Sequence, residues 1–322
     1  MKARLTLRAL RVPDDCAGVA GVCTACFPDW PISPEELADQ EARRPPERLH
    51  KPLVALEGDT VVGYGFVQEP DVAARAGRLR IRVLVPPEHR GKGVGKALYE
   101  ALCALATDAG ATELVTEALE ADEGAARFLA RRRFIAYHRR IENRLRLADV
   151  DPTVIGRAID THVDAFFPSG ARVATFRQLG LVQADASRRL YDLDAVLWAD
   201  VPFGLSGSFP TYEQYVAAEI DHPDFMPAGT FIALDADRWI GVSALVRRPG
   251  FLLNSMTGVV REWRSRGLAR WLKLYTLRHA LECGATEIRT FNDAINPAIL
   301  ALNDSLGFRV AAVQVRYRKE LR

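Results

Sequence analysis

Two short segments hold the residue types best suited to grip a charged cofactor: Arg90-Gly91-Lys92-Gly93-Val94-Gly95 and Arg264-Ser265-Arg266-Gly267-Leu268-Ala269. Both fit Arg-x-x-Gly-x-(Gly or Ala), and each follows a strand-like run and precedes a helix-like one. A helix N-terminus exposes unpaired N–H groups and the positive end of its dipole, so a turn with little side-chain bulk lets backbone amides close on a diphosphate. Arg90, Lys92, Arg264 and Arg266 would add cationic donors near the same phosphates. One glycine-rich turn often does no more than satisfy backbone geometry; two in register are a stronger signal. A Walker loop would need Gly at the position of Arg90 and Ser or Thr at Ala97, and a dinucleotide fingerprint would need Gly at Lys96.

The elements that must carry these turns repeat. Gly110-Ala111-Thr112-Glu113-Leu114 is matched by Gly284-Ala285-Thr286-Glu287-Ile288, an offset of 174 residues from 110 to 284. The same offset pairs Arg90 with Arg264, Gly93 with Gly267, Leu98 with Leu272 and Phe134 with Phe308. So long a period means duplicated domains and not a solenoid. Each half predicts a hairpin, Leu53–Leu56 with Val61–Val67 and Phe231–Leu234 with Trp239–Val246, then a strand (Leu79–Val85; Leu252–Val260), the turn and a helix. Gly110 and Gly284 stop those helices before short strands at Glu113–Thr116 and Glu287–Phe291. The expected organisation is a first domain over 1–148, a partly helical connection over 149–170, and a second domain over 171–322 that opens with a strand at Arg172–Gln178.

Composition bounds the rest. With 322 residues, two cores are expected. The balance of 43 Lys+Arg against 41 Asp+Glu provides no field to concentrate nucleic acid or anionic lipid. No apolar run approaches the roughly 20 residues that span a bilayer, and Met1 to Leu10 does not read as an export signal. An odd set of five cysteines points to reduced thiols and a cytoplasmic protein. Cys23 and Cys26 read as structural thiols, and the six scattered His show no metal spacing.

The paired turns resemble the acetyl-CoA pyrophosphate signature of the GNAT superfamily of N-acetyltransferases. The second half adds Thr290-x-Asn292-x-x-x-Asn296 and Asn303-x-x-Leu306-Gly307-Phe308, similar to that superfamily's next motif. The resemblance implies an α+β fold: two GNAT folds in tandem, each a mixed, mostly antiparallel sheet that splays between its central strands and is flanked by helices. Acetyl-CoA is the implied cofactor, with pantetheine along the strands ending at Leu84-Val85 and Val259-Val260, pyrophosphate on the two turns, and Asn292, Asn296 and Asn303 behind the second site. The implied reaction is direct attack by a small-molecule amine in a ternary complex, with no nucleic acid and no membrane as partner. Mycothiol synthase-like proteins have a similar layout.

Many GNAT members place a proton-donating Tyr four residues before the motif's Gly, where this chain has Leu129 and Asn303. Leu has no proton to give and an amide is no practical acid, so no catalytic residue is assigned. A non-catalytic acyl-CoA sensor and a fused-domain aminoacyl transferase are the alternative readings. Glu219, Asp221, His222, Tyr137 and His138 are weaker candidates for the acceptor wall, and the aromatic, proline-rich loops at Phe27–Pro31 and Trp198–Phe203 for its mouth. In the first half Asp122 and Arg133 replace the motif's Asn and Gly. Catalysis is therefore expected in the second half, with the first retaining CoA binding at most.

Overall fold

The computed structural model describes residues 4–70, 75–166, 170–201 and 208–321. Of the segments named above, Pro202 and Phe203 lie outside the described residues. The chain divides into two compact units: Met1–Tyr137 with Ser206–Ser208 and Val315–Arg322, and His138–Leu205 with Phe209–Gln314.

Unit 1 runs β1 (Leu5–Ala9), α1 (Cys16–Cys26), α2 (Pro34–Ala42), β2 (His50–Glu57), β3 (Thr60–Gln68), β4 (Arg78–Leu84), α3 (Val94–Asp108), β5 (Glu113–Leu119) and α4 (Glu123–Ala130). β1 to β4 pair antiparallel in chain order and β4 pairs parallel with β5. The β2–β3 turn closes where Gly58 takes φ +62°, a left-handed conformation that glycine adopts without steric cost. On α3, Val94, Leu98, Tyr99, Leu102 and Ala106 recur at helical spacing and are all buried. They cover one sheet face, while Val19, Val22 and Leu37 from α1 and α2 cover the other.

A long strand, β6 (Ile135–Arg146), crosses from one unit to the other. Unit 2 continues with α5 (Pro152–Phe166), β7 (Ala171–Thr175), α6 (Phe176–Gly180), α7 (Ala186–Trp198), α8 (Tyr212–Tyr215), β8 (Phe225–Asp235), β9 (Arg238–Arg248), β10 (Phe251–Val259), α9 (Leu268–Glu282), β11 (Glu287–Asp293), α10 (Pro297–Ser305) and β12 (Arg309–Glu320). Its strand order is β6-β11-β10-β9-β8-β7, with β6 antiparallel to β11 from Arg140↔Asp293 to Arg146↔Glu287. In unit 1 the far end of β12 adds to β5, where Leu321 N donates to Thr112 O at 2.8 Å. Each unit is thus completed by a strand from the other half of the sequence, and the compact units divide at Tyr137/His138, ahead of the expected boundary after residue 148.

The strand expected over Arg172–Gln178 ends early. Thr175 Oγ1 accepts from Gln178 N while the Gln178 side chain accepts from Thr175 N, and this capping box starts α6 at Phe176. Within the expected connection, α5 lays Ile155 and Ile159 into the unit 2 core beside Leu274 and Leu277. Among the described residues, no helix is long and apolar enough to cross a membrane.

Candidate functional site

In unit 1, a 3-10 turn at Pro87–His89 leads from β4 into the first glycine-rich turn. Gly91 and Gly93 hold φ +75° and +91°, and a Cβ built at either meets nothing within 4 Å. Gly93, the N-cap of α3, has no side chain to offer the helix's first amides, and the space on its Cβ side is open. Gly95 is closer packed, 3.5 Å from Val85 and 3.6 Å from Phe128 for a notional Cβ. Leu84 and Val94 point into the core; what they could offer a ligand is backbone. Lys92 is exposed beside the glycines. Arg90 is more occupied than its sequence position suggests, because its Nε donates to Val85 O at 3.1 Å and its Nη1 lies 3.2 Å from Asp122 Oδ2. It fastens the turn to the end of β4.

Ladder pairing between β4 and β5 covers only Arg78↔Glu113, Leu79↔Leu114 and Arg80↔Val115. Beyond it the strands part, and a cavity of about 520 Å³ opens between Ile81–Val85 and Thr116–Leu119. Gly91, Gly93 and Gly95 stand at its edge and Tyr99, Phe128 and Leu129 line it. Both departures from the sequence motif keep the backbone role of the residue they replace. Asp122 caps α4 by accepting from Ala125 N at 2.9 Å, the role that Asn296 plays for α10 toward Ile299 N at 3.4 Å. Arg133 adopts φ +64°, the left-handed turn that Gly307 makes at +90°.

The second turn repeats the backbone but not the openness. Ser265 holds φ +61° where unit 1 has glycine, Gly267 caps α9, and Arg264 Nε donates to Val259 O at 2.9 Å. Arg261 and Arg264 both pair with Asp200, at 2.8 and 2.5 Å, and those guanidiniums hold its carboxyl below the usual carboxylate range. A negative group therefore sits where phosphate would be drawn. The guanidinium of Arg266 lies over the Trp263 ring at 4.9 Å, and a Cβ at Gly267 would come 3.7 Å from His162 Nε2 on α5. Val259, Val260 and Leu268 are buried and Ala269 packs beside them.

Behind that turn the corresponding side chains are polar and mostly buried. Tyr99, Thr116, Ala118 and Leu129 line the open cavity; at the repeat offset their counterparts are Lys273, Thr290, Asn292 and Asn303. Lys273, 1 % exposed, donates to Asn254 Oδ1 at 2.5 Å. Asn254 in turn donates to Ser243 Oγ and accepts from Thr257, Thr290 donates to Asn254 O, and Asn303 donates to Asn292 Oδ1 at 2.6 Å. Burial pushes the Lys273 amine down to about 7. In the second half Asn292 accepts from Asn303 and Asn296 caps α10, while Asn303 Oδ1 is buried without a hydrogen-bond partner.

Residues 20–134 match the acetyltransferase (GNAT) family. The mycothiol acetyltransferase of Kocuria rhizophila is 26% identical over 319 residues, covering 95% of both chains. Among solved structures, a tandem GNAT protein from the clavulanic acid biosynthesis pathway superposes with TM-score 0.74 at 20% identity, covering 98% of each chain. A GCN5-related N-acetyltransferase from Sphaerobacter thermophilus gives 0.70 at 19% identity, over 99% of this chain and 96% of that one. Residues 20–134 thus match the GNAT acetyltransferase family, and the whole chain has the fold of tandem GNAT proteins. Its class of reaction is acetyl transfer from acetyl-CoA to an amine.

The weaker candidates from sequence are scattered. His138 pairs with Asp293, and His222 Nδ1 accepts from Asp224 N at 3.2 Å. Burial raises the carboxyl of Glu219 while Arg248 opposes the shift, and burial likewise raises the Tyr137 phenol. Cys23 is pushed up to about 11 by burial and Cys26 is also raised, so both remain thiols at neutral pH. Sequence reasoning missed Arg80, Arg82 and Glu117 as a group: Arg80 and Arg82 alternate on a predicted strand, but Glu117 falls just past the end expected for the next one.

Proposed function

We propose that unit 1 binds acetyl-CoA, with pyrophosphate on the amides of Gly91 to Gly95 and pantetheine in the opening between β4 and β5. A small-molecule amine takes the acetyl group by direct attack within the ternary complex. The observation that carries this reading is the cavity of about 520 Å³, which joins an uncovered helix N-terminus to a gap in the sheet. Acetyl-CoA supplies the activated acyl carbon. The chain's contribution is placement: Arg90 fixes the turn, Tyr99 and Phe128 wall the slot, and β4 amides released from pairing are available to a carbonyl oxygen as negative charge grows on it. A C–N bond forms as the C–S bond breaks; the amine loses one proton and the departing sulfur gains one.

Unit 2 keeps the fold and the turn as a scaffold, supported by Asp200, His162 and the Lys273 network in the places a cofactor would need. The test is titration calorimetry with acetyl-CoA on the full chain and on folded Gly93→Glu and Gly267→Glu variants. One binding event, lost in Gly93→Glu and kept in Gly267→Glu, is expected. Loss in Gly267→Glu alone would return the site to unit 2.

A further inference from the structure

One wall of the unit 1 cavity carries charges that acetyl-CoA binding does not use. On β4, Leu79, Ile81 and Val83 pack with α3, whereas Leu84 packs with α1. Side chains alternate along a strand, so Arg80 and Arg82 project to the α1 face. Leu114 and Ala118 of β5 join the α3 cluster, which puts Glu117 on that same opposite face. Glu117 Oε1 accepts from Arg80 Nη2 at 2.9 Å and from Arg82 Nη1 at 2.5 Å. These bonds bridge β4 and β5 at the point where their ladder has ended. Phe27, just past α1, sets its ring 4.8 Å from the Arg82 guanidinium carbon. Arg82, Glu117 and Phe27 all line the cavity, and the two charged side chains remain 16% and 21% exposed.

We infer that this group is the acceptor subsite and that the acceptor is a primary amine bearing a carboxylate, of the α-amino acid class; the inference rests on unit 1 being the acetyl-CoA site. Arg82 and Glu117 set one cation and one anion side by side on the cavity wall, a pattern that a purely cationic acceptor matches only in part. A zwitterion suits it: the amino group reaches Glu117 and the carboxylate reaches Arg82, each as a charge-assisted hydrogen bond. Phe27 offers an apolar face to the acceptor's side chain. The ammonium first gives one proton to water; with an N–H then donated to Glu117, the nitrogen lone pair is held toward the opening where the thioester carbonyl lies. As the C–N bond forms and the C–S bond breaks, the nitrogen loses a second proton, which reaches the departing sulfur through water, and CoA leaves as the thiol.

The experiment compares L-amino acids with their carboxamides as acceptors, following CoA thiol release from acetyl-CoA, in the full chain and in Arg82→Met and Glu117→Gln. Losing one hydrogen bond to a charged group corresponds to about ten- to hundredfold in kcat/KM. The free acids are expected to exceed their amides by that factor in the native chain. Arg82→Met should erase the preference, chiefly through the KM for acceptor, and Glu117→Gln should lower turnover of both classes. Acetyl-CoA affinity by calorimetry should stay within about threefold in each variant. Equal use of amides, no turnover of any amino acid by a chain that binds acetyl-CoA, or a preference that survives Arg82→Met would overturn the inference. Failure of the native chain to bind acetyl-CoA would instead overturn the cofactor reading beneath it.

Discussion

Replacing Lys273 by Met should make the protein more stable, by an amount that falls as pH rises. The native amine titrates at about 7 against its ordinary 10.5, through burial alone. Between those values the unfolded chain holds a proton that the native chain has released, so stability climbs with pH by up to about 1.4 kcal/mol per unit. Below the native value both states are protonated: the slope vanishes and the full penalty of a buried ammonium stands. From pH 7.5 to 9.5 the native chain should gain about 2.5 kcal/mol from this group alone. Met fills a similar volume without a charge, and Asn254 Oδ1 keeps a donor in Thr257 at 3.1 Å. The assay is urea denaturation followed by Trp fluorescence at several pH values, taking the difference between the two proteins so that other titrating groups cancel. Parallel curves for native and Lys273→Met chains across that window would refute the sealed, neutral lysine, and with it the physical reason for denying unit 2 a cofactor.

Arg133→Gly should stabilise unit 1 by about 1 kcal/mol in thermal or urea unfolding, since it relieves a left-handed residue at φ +64°. Asp122→Ala should destabilise it by about 1 kcal/mol through the lost α4 cap, whereas Asp122→Asn should retain the cap and release only the exposed pair with Arg90; unfolding midpoints distinguish the two. Deleting residues 315–322 should weaken acetyl-CoA binding measured by calorimetry although no deleted residue lines the cavity, because β5 loses its neighbour and Tyr99 loses the Lys319 Nζ donor at 2.9 Å.

Much of the scaffold was readable from local pattern. Apolar alternation around Gly58, the three-and-four spacing of Leu98 and Leu102, and the glycine turns each constrain only a few neighbouring residues, which is why the hairpins, central helices and phosphate-type turns fell where expected. Choosing between the two turns was another matter. Asn296 and Asp122 differ in charge, yet both serve first as helix caps. What closes the second turn comes from remote parts of the chain, Asp200 after α7 and His162 on α5, and no spacing rule connects them to Gly267. The capping box at Thr175 was present in the sequence, but the β-branched run before it concealed the helix start.

The exchanged strands bear on how the protein is made. Unit 1 contains almost everything encoded by the first 137 residues, yet its sheet lacks a strand until Val315 and the residues after it have been synthesised. During translation, the first unit would wait through the whole of the second half with the edge of β5 unpaired, a state open to mispairing with other chains. A stop just after Gln314 would strike the first unit and not the second. Duplication of this kind yields a protein whose halves can diverge in chemistry but can no longer be inherited apart.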